Sequence, residues 1–280
     1  MLASVPPPLD YEYAVERITR FLRWAVEKSG TRGVVLGLSG GVDSSTTAAL
    51  AVKALGAERV HVLLLPDSAT TPTEDVRDAE ELAESLGVRS VMVEIRGIYE
   101  SVAKAAAFYD EKASVANGNL RARIRMILLY YYANLNRLLV CGASDKSELL
   151  LGYYTKYGDG AADILPLADV YKTQVRVLAR RLGLPEKIAG KPSSPRLWPG
   201  QMAEAELGAS YEEIDPVLYL YVELGKSVDW IVKKTGIARE KVEAIVRRVH
   251  ANEHKRMPPP IARVSKYSVG KDWVMPWNLG

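Results

Sequence analysis

The chain has 280 residues, 48% of them hydrophobic and 25% charged, which fits a globular α/β protein and excludes a disordered one. No apolar run approaches the roughly 20 residues that span a bilayer, and the start MLASVPPPLDYEY lacks the basic-then-apolar layout of a signal peptide, so a cytoplasmic protein is expected. A net charge of +3 is too small to imply nucleic acid and equally suits phosphate-rich small substrates; the single cysteine, Cys141, excludes an intramolecular disulfide and a zinc cluster.

From Asp10 to Ser29 apolar residues recur at helical spacing (Tyr13, Ala14, Ile18, Phe21, Leu22, Ala25, Val26) and Gly30 follows, which predicts an amphipathic helix. Short β-branched runs then alternate with helical patterns: strands over 34–38, 60–65 and 90–95, helices over 44–55 and 73–86. A further helix covers about 120–135, and the run 137–141 reads as the next buried strand, ending in Cys141. This alternation predicts the α/β class, with a doubly wound, Rossmann-like parallel sheet. Gly-, Pro- and Ser-rich stretches over 152–160 and 190–208 are long enough to be functional loops. The last third reads as helices over 211–224, 228–235 and 239–255. One unit over 1–280 is expected, made of an α/β core (1–190) and a loop with a helical region (191–280).

The most informative stretch is Gly37-Leu38-Ser39-Gly40-Gly41-Val42-Asp43-Ser44-Ser45, where a buried strand ends in small residues and a helix begins at once. Backbone N–H groups there can face an anion, since glycine permits close approach and the helix N-terminus adds partial positive charge. A glycine pair alone would also suit a tight strand-to-helix turn. A Walker A loop needs lysine where Val42-Asp43 stands. A Rossmann fingerprint needs Gly-x-Gly-x-x-Gly, whereas the glycines are Gly37, Gly40 and Gly41, although Asp67 falls where a ribose-binding acid would stand. Asp43 is a carboxylate inside a phosphate cradle and would repel its ligand unless a divalent cation, Mg²⁺, lies between them. The loop therefore reads as one built for Mg²⁺-pyrophosphate.

This loop resembles that of the ATP pyrophosphatases, of the adenine nucleotide α-hydrolase-like fold, which cleave ATP between the α and β phosphates and transfer AMP to a substrate oxygen. Four more stretches extend the similarity nearly end to end to the ammonia-dependent NAD synthetase family. They are 118–126 (Gly-Asn-Leu-Arg-Ala-Arg-Ile-Arg-Met), 142–148 (Gly-Ala-Ser-Asp-Lys-Ser-Glu), 154–163 (Tyr-Thr-Lys-Tyr-Gly-Asp-Gly-Ala-Ala-Asp) and 191–198 (Lys-Pro-Ser-Ser-Pro-Arg-Leu-Trp). The resemblance implies a ligase that amidates deamido-NAD with ammonia through an adenylated intermediate, releasing AMP and pyrophosphate in the last step of NAD biosynthesis.

The resemblance also implies residue roles. Gly37, Leu38, Ser39, Gly40, Gly41, Val42, Asp43 and Ser44, with Lys172 and Ser194, would bind ATP; Asp43 and Glu148 would hold Mg²⁺. Arg123, Lys156, Asp163, His254 and Lys255 would bind deamido-NAD. Lys172 would put a point charge where negative charge moves during displacement at the α-phosphate. Taken alone, Glu148 reads as a solvated helix residue, Lys172 as a surface lysine at a helix start, and Arg121, Arg123 and Arg125 as a solvated stripe. Asp159, in the Gly-rich turn beside Lys156, is expected to bind or deprotonate the ammonium, completing a catalytic set with Asp43 and Lys172. Ala143 stands where the family usually has threonine, so that hydroxyl is lost or supplied by Ser144.

Free ammonium is the expected nitrogen donor, since no glutaminase segment is evident. The family is homodimeric, and the nearly all-round apolar run 126–132 suits a subunit interface. Loops 66–72 and 191–208 are expected to close over ATP. Residues 227–256 have the layout of a helix-turn-helix, but the match at His254-Lys255-Arg256 assigns them to the dinucleotide, and neither a nucleic-acid nor a membrane partner is expected.

Overall fold

The computed structural model describes residues 5–267. Its first helix, α1 (Tyr11–Ser29), starts where the Asp10 carboxylate accepts the Tyr13 N–H at 3.0 Å and stops where Gly30 turns left-handed at φ 65°. Strands β1 (Val34–Gly37), β2 (Val60–Leu64), β3 (Arg89–Met92) and β4 (Leu139–Val140) form one parallel sheet in the order β3-β2-β1-β4, with Val34 opposite both Val60 and Leu139. Helices α2 (Val42–Leu55), α3 (Thr73–Ser85), α4 (Arg96–Ala105) and α5 (Ser114–Asn136) connect them.

Both faces of the sheet are covered, which is why its strands are apolar almost continuously. Val34 and Leu36 pack with residues of α1, α2, α3 and α7 (Lys172–Arg181), whereas Val35, Leu63 and Val140 pack with Ile95, Tyr99, Ile124 and Ala133 beside α4 and α5. The doubly wound sheet expected from the alternation is thus present. Chain order runs from β1 outward to β3 on one side and returns to β4 on the other. The C-terminal ends of β1 and β4 therefore flank a topological switch point, where open α/β sheets bind ligands.

Several boundaries differ from expectation, each for a local reason. The strand expected over 137–141 shrinks to two residues, because Arg137 turns left-handed (φ 57°) to end α5 and the Leu138 N–H bonds back to the Ala133 carbonyl. Cys141 instead makes an isolated parallel bridge to Ile164; it is buried, and burial pushes its thiol up to about 12, so it is an inert core residue. Strand β3 ends at Met92, after which the Val93 and Ile95 N–H groups bond to the Leu64 and Pro66 carbonyls. Helix α4 was not foreseen, and α5 begins at Ser114, ahead of the expected start.

Helices α6 (Lys146–Leu151), α7, α8 (Glu186–Ala189), α9 (Ala203–Leu207), α10 (Tyr211–Leu218), α11 (Val228–Thr235), α12 (Arg239–Ala251) and α13 (Glu253–Arg256) complete the chain. Helix α10 continues as a π turn over Tyr219–Glu223 rather than as the single helix expected over 211–224. A second core joins Leu151 of α6 and Tyr171 to Tyr211, Ile214, Leu218, Ile231, Val242 and Ile245 of the later helices. The C-terminal helices thereby brace α6 and the start of α7. Of the region expected over 191–280, residues 268–280 lie outside the described residues. Among the described residues, no helix is long and apolar enough to cross a membrane.

Candidate active site

Between β1 and α2 the chain folds into a closed hydroxyl network. Ser44 Oγ accepts the Ser39 N–H (3.2 Å) and donates to the Gly41 carbonyl (3.2 Å), while Ser39 Oγ, 2.9 Å from Ser44 Oγ, accepts the Gly41 N–H (3.3 Å). Gly40 sits at φ 73°, and a Cβ there would fall 2.3 Å from the Asp75 carbonyl oxygen, so only glycine fits. This turn aims the N-terminus of α2 into a cavity of about 300 Å³. Every residue of the predicted ATP loop lines that cavity except Gly40, and Glu148, Asp159 and Ser194 line it too.

Below the loop lies a buried charge cluster. Lys172 Nζ is 2.6 Å from Asp43 Oδ2, 2.7 Å from Glu148 Oε1 and 2.9 Å from Asp145 Oδ2, and the lysine side chain is 0% exposed. The surface-lysine reading of Lys172 is therefore wrong: the N-terminus of α7 faces inward, not out. Glu148 is likewise no solvated helix residue, since a capping box holds it: its N–H bonds to Asp145 Oδ1 at 2.8 Å, and its carboxylate accepts the Asp145 N–H.

With all groups ionised, three carboxylates and one ammonium leave two negative charges in excess. The site answers by favouring protonation. Burial, reinforced by Asp43 and opposed by Lys172, pushes Glu148 up to about 7, and burial with the Glu148 and Asp43 charges raises Asp145 well above the usual carboxylate range. Lys172 is raised as well: burial pulls it down, but Asp145, Asp43 and Glu148 together outweigh that. A divalent cation fits this donor set. The three carboxylates place ligand atoms within 4.8 Å of one another, Asp43 Oδ1 is buried without a hydrogen-bond partner, Asp145 Oδ2 has only its ion pair with Lys172, and oxygen-only donors suit Mg²⁺.

The residues assigned to the dinucleotide form a strip beside the cavity rather than lining it. Arg123 donates to the Lys156 carbonyl (3.3 Å), Lys156 to the His254 carbonyl, and Lys255 to the Gly152 and Tyr154 carbonyls (2.6 and 2.8 Å). Asp163 stands apart: it accepts the Val140 N–H at 2.7 Å and the Tyr130 hydroxyl at 3.2 Å, at the end of β4. Asp159 lines the cavity and is exposed there, and its Oδ1 accepts the Thr155 N–H at 2.9 Å. Ala143 and Ser144 both line the cavity, so a hydroxyl remains beside the missing threonine.

Two residues of the site went unassigned in the sequence. Asp145 stood within the 142–148 stretch with no role given to it. Arg125, which lines the cavity and donates to the Leu65 carbonyl at 2.9 Å, was read as part of a solvated stripe. That reading fails because Arg121 and Arg125, four apart, share the inward side of α5, while Arg123 faces out. Arg121 pairs with Asp67 at 2.5 Å and lies 3.9 Å over the Tyr99 ring, so Asp67 anchors the loop after β2 instead of awaiting a ribose.

The 191–202 loop lies over the cavity, tied down by charge. Lys191 pairs with Asp75 (3.0 Å) and Asp78, Arg196 pairs with Asp75 (2.8 Å), and Ser194 Oγ donates to the Gln201 carbonyl (2.5 Å). Leu197 and Trp198 press on Gly118 of α5, where a Cβ would come within 2.9 Å of Leu197 Cβ. In the segment with a helix-turn-helix layout, Ile231, Val242, Ile245 and Val249 are buried in the second core. Three of its basic residues are engaged within the fold, Arg239 with Asp229, Lys241 with Glu213 (2.7 Å) and Arg256 with the Leu149 and Leu150 carbonyls, whereas Lys233 and Lys234 are exposed.

Comparison with known proteins agrees with this geometry. The NAD synthase family matches residues 14–259. An NH(3)-dependent NAD(+) synthetase of Hyperthermus butylicus is 56% identical over 252 residues, 90% of this chain and 91% of its own length. Among solved structures, the NH3-dependent NAD synthetase of Campylobacter jejuni has a TM-score of 0.76 at 33% identity, covering 91% of this chain and 100% of that one. The NMN synthetase of Francisella tularensis has a TM-score of 0.79 at 33% identity, covering 92% and 100%. With a family match over most of its length and a glycine-serine loop above a lysine ringed by three carboxylates, the chain belongs to the NAD synthase family.

Proposed function

We propose that this chain is an ammonia-dependent NAD synthase, a ligase that consumes ATP to amidate deamido-NAD in the last step of NAD biosynthesis. The observation that carries the reading is Lys172 held among Asp43, Asp145 and Glu148 directly below the anion-binding loop. In this reading the nicotinate carboxylate attacks the α-phosphate of ATP and pyrophosphate leaves; ammonia then displaces AMP. The Ser39–Ser44 loop and the α2 N-terminus orient the pyrophosphate. Asp43 and Glu148, backed by Asp145, would hold Mg²⁺, which neutralises charge on the leaving group when bound. Lys172 supplies a fixed positive charge, and Ser194 reaches ATP from the overlying loop. Arg123, Lys156, His254 and Lys255 receive the dinucleotide by exchanging carbonyl contacts for its charged groups, and Asp163, apart from them at the end of β4, meets another part of it. Asp159 holds the ammonium at the cavity wall.

The same reading treats the α/β core and the C-terminal helices as one working unit in a cytoplasmic setting, with no nucleic acid and no membrane. It makes the chain a homodimer. Helix α5 exposes Ile127, Tyr131 and Leu135 (58%, 64% and 65%) at four-residue spacing, an apolar stripe that the described residues of one protomer leave uncovered. Light scattering is expected to give a mass near twice the 30.8 kDa chain; the mass of one chain at micromolar concentration would refute the dimer.

The direct test supplies ATP, Mg²⁺ and deamido-NAD with either ammonium or glutamine and follows NAD and pyrophosphate together. Equal NAD and pyrophosphate from ammonium, and none from glutamine, is the expected result. Nicotinate mononucleotide in a parallel tube checks the alternative raised by the NMN synthetase neighbour; the 56% identity to the Hyperthermus protein favours the dinucleotide. In the same assay Asp159→Asn should raise the KM for ammonium by about tenfold, with the KM for ATP little changed. An unaltered ammonium dependence would remove Asp159 from this role.

A further inference from the structure

We propose that Asp215 of α10, a residue outside the loop and the acid cluster, is a positioning residue that fixes Lys172 and Glu148 relative to each other; this rests on the reaction proposed above. The two groups that meet at the centre of the site come from separate elements. Glu148 stands on α6, six residues long, and Lys172 is the first residue of α7. Asp215 bonds to both elements.

Its Oδ1 accepts the Ser147 hydroxyl at 2.6 Å, and its Oδ2 accepts the Thr173 N–H at 2.9 Å and the Thr173 hydroxyl at 2.7 Å. Ser147 Oγ in turn accepts the Lys172 N–H at 2.9 Å, which leaves its single proton for Asp215. Ser147 precedes Glu148 and Thr173 follows Lys172, so one carboxylate ties the backbone on both sides of the cluster. Every hydrogen bond at Asp215 is donated to it, as an ionised carboxylate requires, and its charge faces the N-terminus of α7. The residue is 0% exposed, and its neighbours Ile214, Val217 and Leu218 are locked in the second core. Asp215 therefore cannot shift without the C-terminal helices.

A fully buried carboxylate with no cation among its hydrogen-bond partners adds little to stability over an apolar side chain of similar size. What it adds is direction: the Thr173 N–H and one hydroxyl on each catalytic element are held by a single carboxylate, and the Lys172 N–H is tied to it through Ser147 Oγ. Helix α10 thus acts on chemistry it does not touch.

The test compares Asp215→Asn, Thr173→Val and Thr173→Ser with Val217→Ala, a buried α10 control outside the network. Asp215→Asn should lower kcat roughly 10- to 100-fold, with KM for ATP and deamido-NAD within about threefold. Its affinity for Mg²⁺ alone, measured by titration calorimetry, should fall about tenfold because Glu148 is no longer held. Thr173→Val, which keeps the N–H and removes only the hydroxyl, should lose about fivefold or more in kcat, and Thr173→Ser should restore it to within about twofold. Val217→Ala should melt earlier yet keep kcat and Mg²⁺ affinity. If Asp215→Asn and Thr173→Val both turn over and bind Mg²⁺ like the parent, Asp215 is a packing anchor and the proposal is wrong. Should Asp215→Asn fail to fold, Thr173→Val against Thr173→Ser decides alone. A parent protein that makes neither product would overturn the reaction, and the calorimetric comparison would still decide the role of Asp215.

Discussion

Lys172→Met is expected to lower kcat by about a thousandfold and to make the fold less stable as pH rises. The catalytic loss follows from removing a fixed positive charge from a site where negative charge develops; single electrostatic contacts of this kind carry about 10²–10³ in rate. The stability loss follows from the company Lys172 keeps. Its ammonium is the only cation within ion-pair distance of Asp145 among the described residues, and Asp145 is fully buried. Breaking such a buried network costs about 3–5 kcal/mol. The pH dependence has a definite sign. Glu148 is already pushed up to about 7, above the roughly 4.3 of a free glutamate, and Asp145 is raised as well. A carboxyl raised in the folded state contributes stability that is present below its unfolded value and lost as pH climbs through the folded value. In Lys172→Met both carboxyls rise further, so the folded state binds more protons than the unfolded over a wider range and stability falls with pH. Melting temperatures by circular dichroism from about pH 5 to about pH 8 should therefore diverge from the parent, most at the alkaline end. A flat difference, with kcat within tenfold of the parent, would mean that Lys172 is a spectator.

What could be read from the chain without coordinates was whatever is local. Strand, glycine turn and helix follow one another within a dozen residues, and each residue type there has a backbone reason, so the loop at 37–44 was legible. Lys172 was legible only through family resemblance. Its local context, a lysine opening a helix, points to the surface; its burial comes from Asp43 and from the pair Asp145 and Glu148, which reach it across more than a hundred and more than twenty residues respectively. Asp145 carries a local capping pattern, Asp-x-x-Glu, which says nothing of its ion pair with Lys172. Arg125 was misjudged because three alternating arginines suggest a solvated helix, while the i,i+4 pair within them marks the inward side. Asp215 had no signal at all, lying in an amphipathic run between Ile214 and Pro216. Strand β4 was overdrawn because apolar residues continue through Leu138 while the backbone is still leaving α5 at Arg137.

Asp43→Asn should do to stability the opposite of Lys172→Met while removing activity almost as completely. Asp43 offers one oxygen to Lys172 at 2.6 Å and keeps the other buried without a hydrogen-bond partner, an orientation that serves a ligand better than the fold. With asparagine the cluster holds two carboxylates and one ammonium, and its excess charge drops from two to one. The repulsion that raises Glu148 and Asp145 weakens, so their carboxyls move toward ordinary values and the loss of stability with rising pH shrinks. Melting in the absence of metal should stay level or rise, the pattern of a site kept strained for function. Pyrophosphate release should fall by at least about a hundredfold. Mg²⁺ supplies the cleanest readout. At about 100 times its Kd, a cation that binds only the folded state adds about 2.7 kcal/mol of stability, and the parent should melt correspondingly later in its presence. Asp43→Asn should show little or none of that gain. A variant that still melts later with Mg²⁺ and still releases pyrophosphate would move the metal away from Asp43, and with it the reason for a carboxylate in an anion-binding loop.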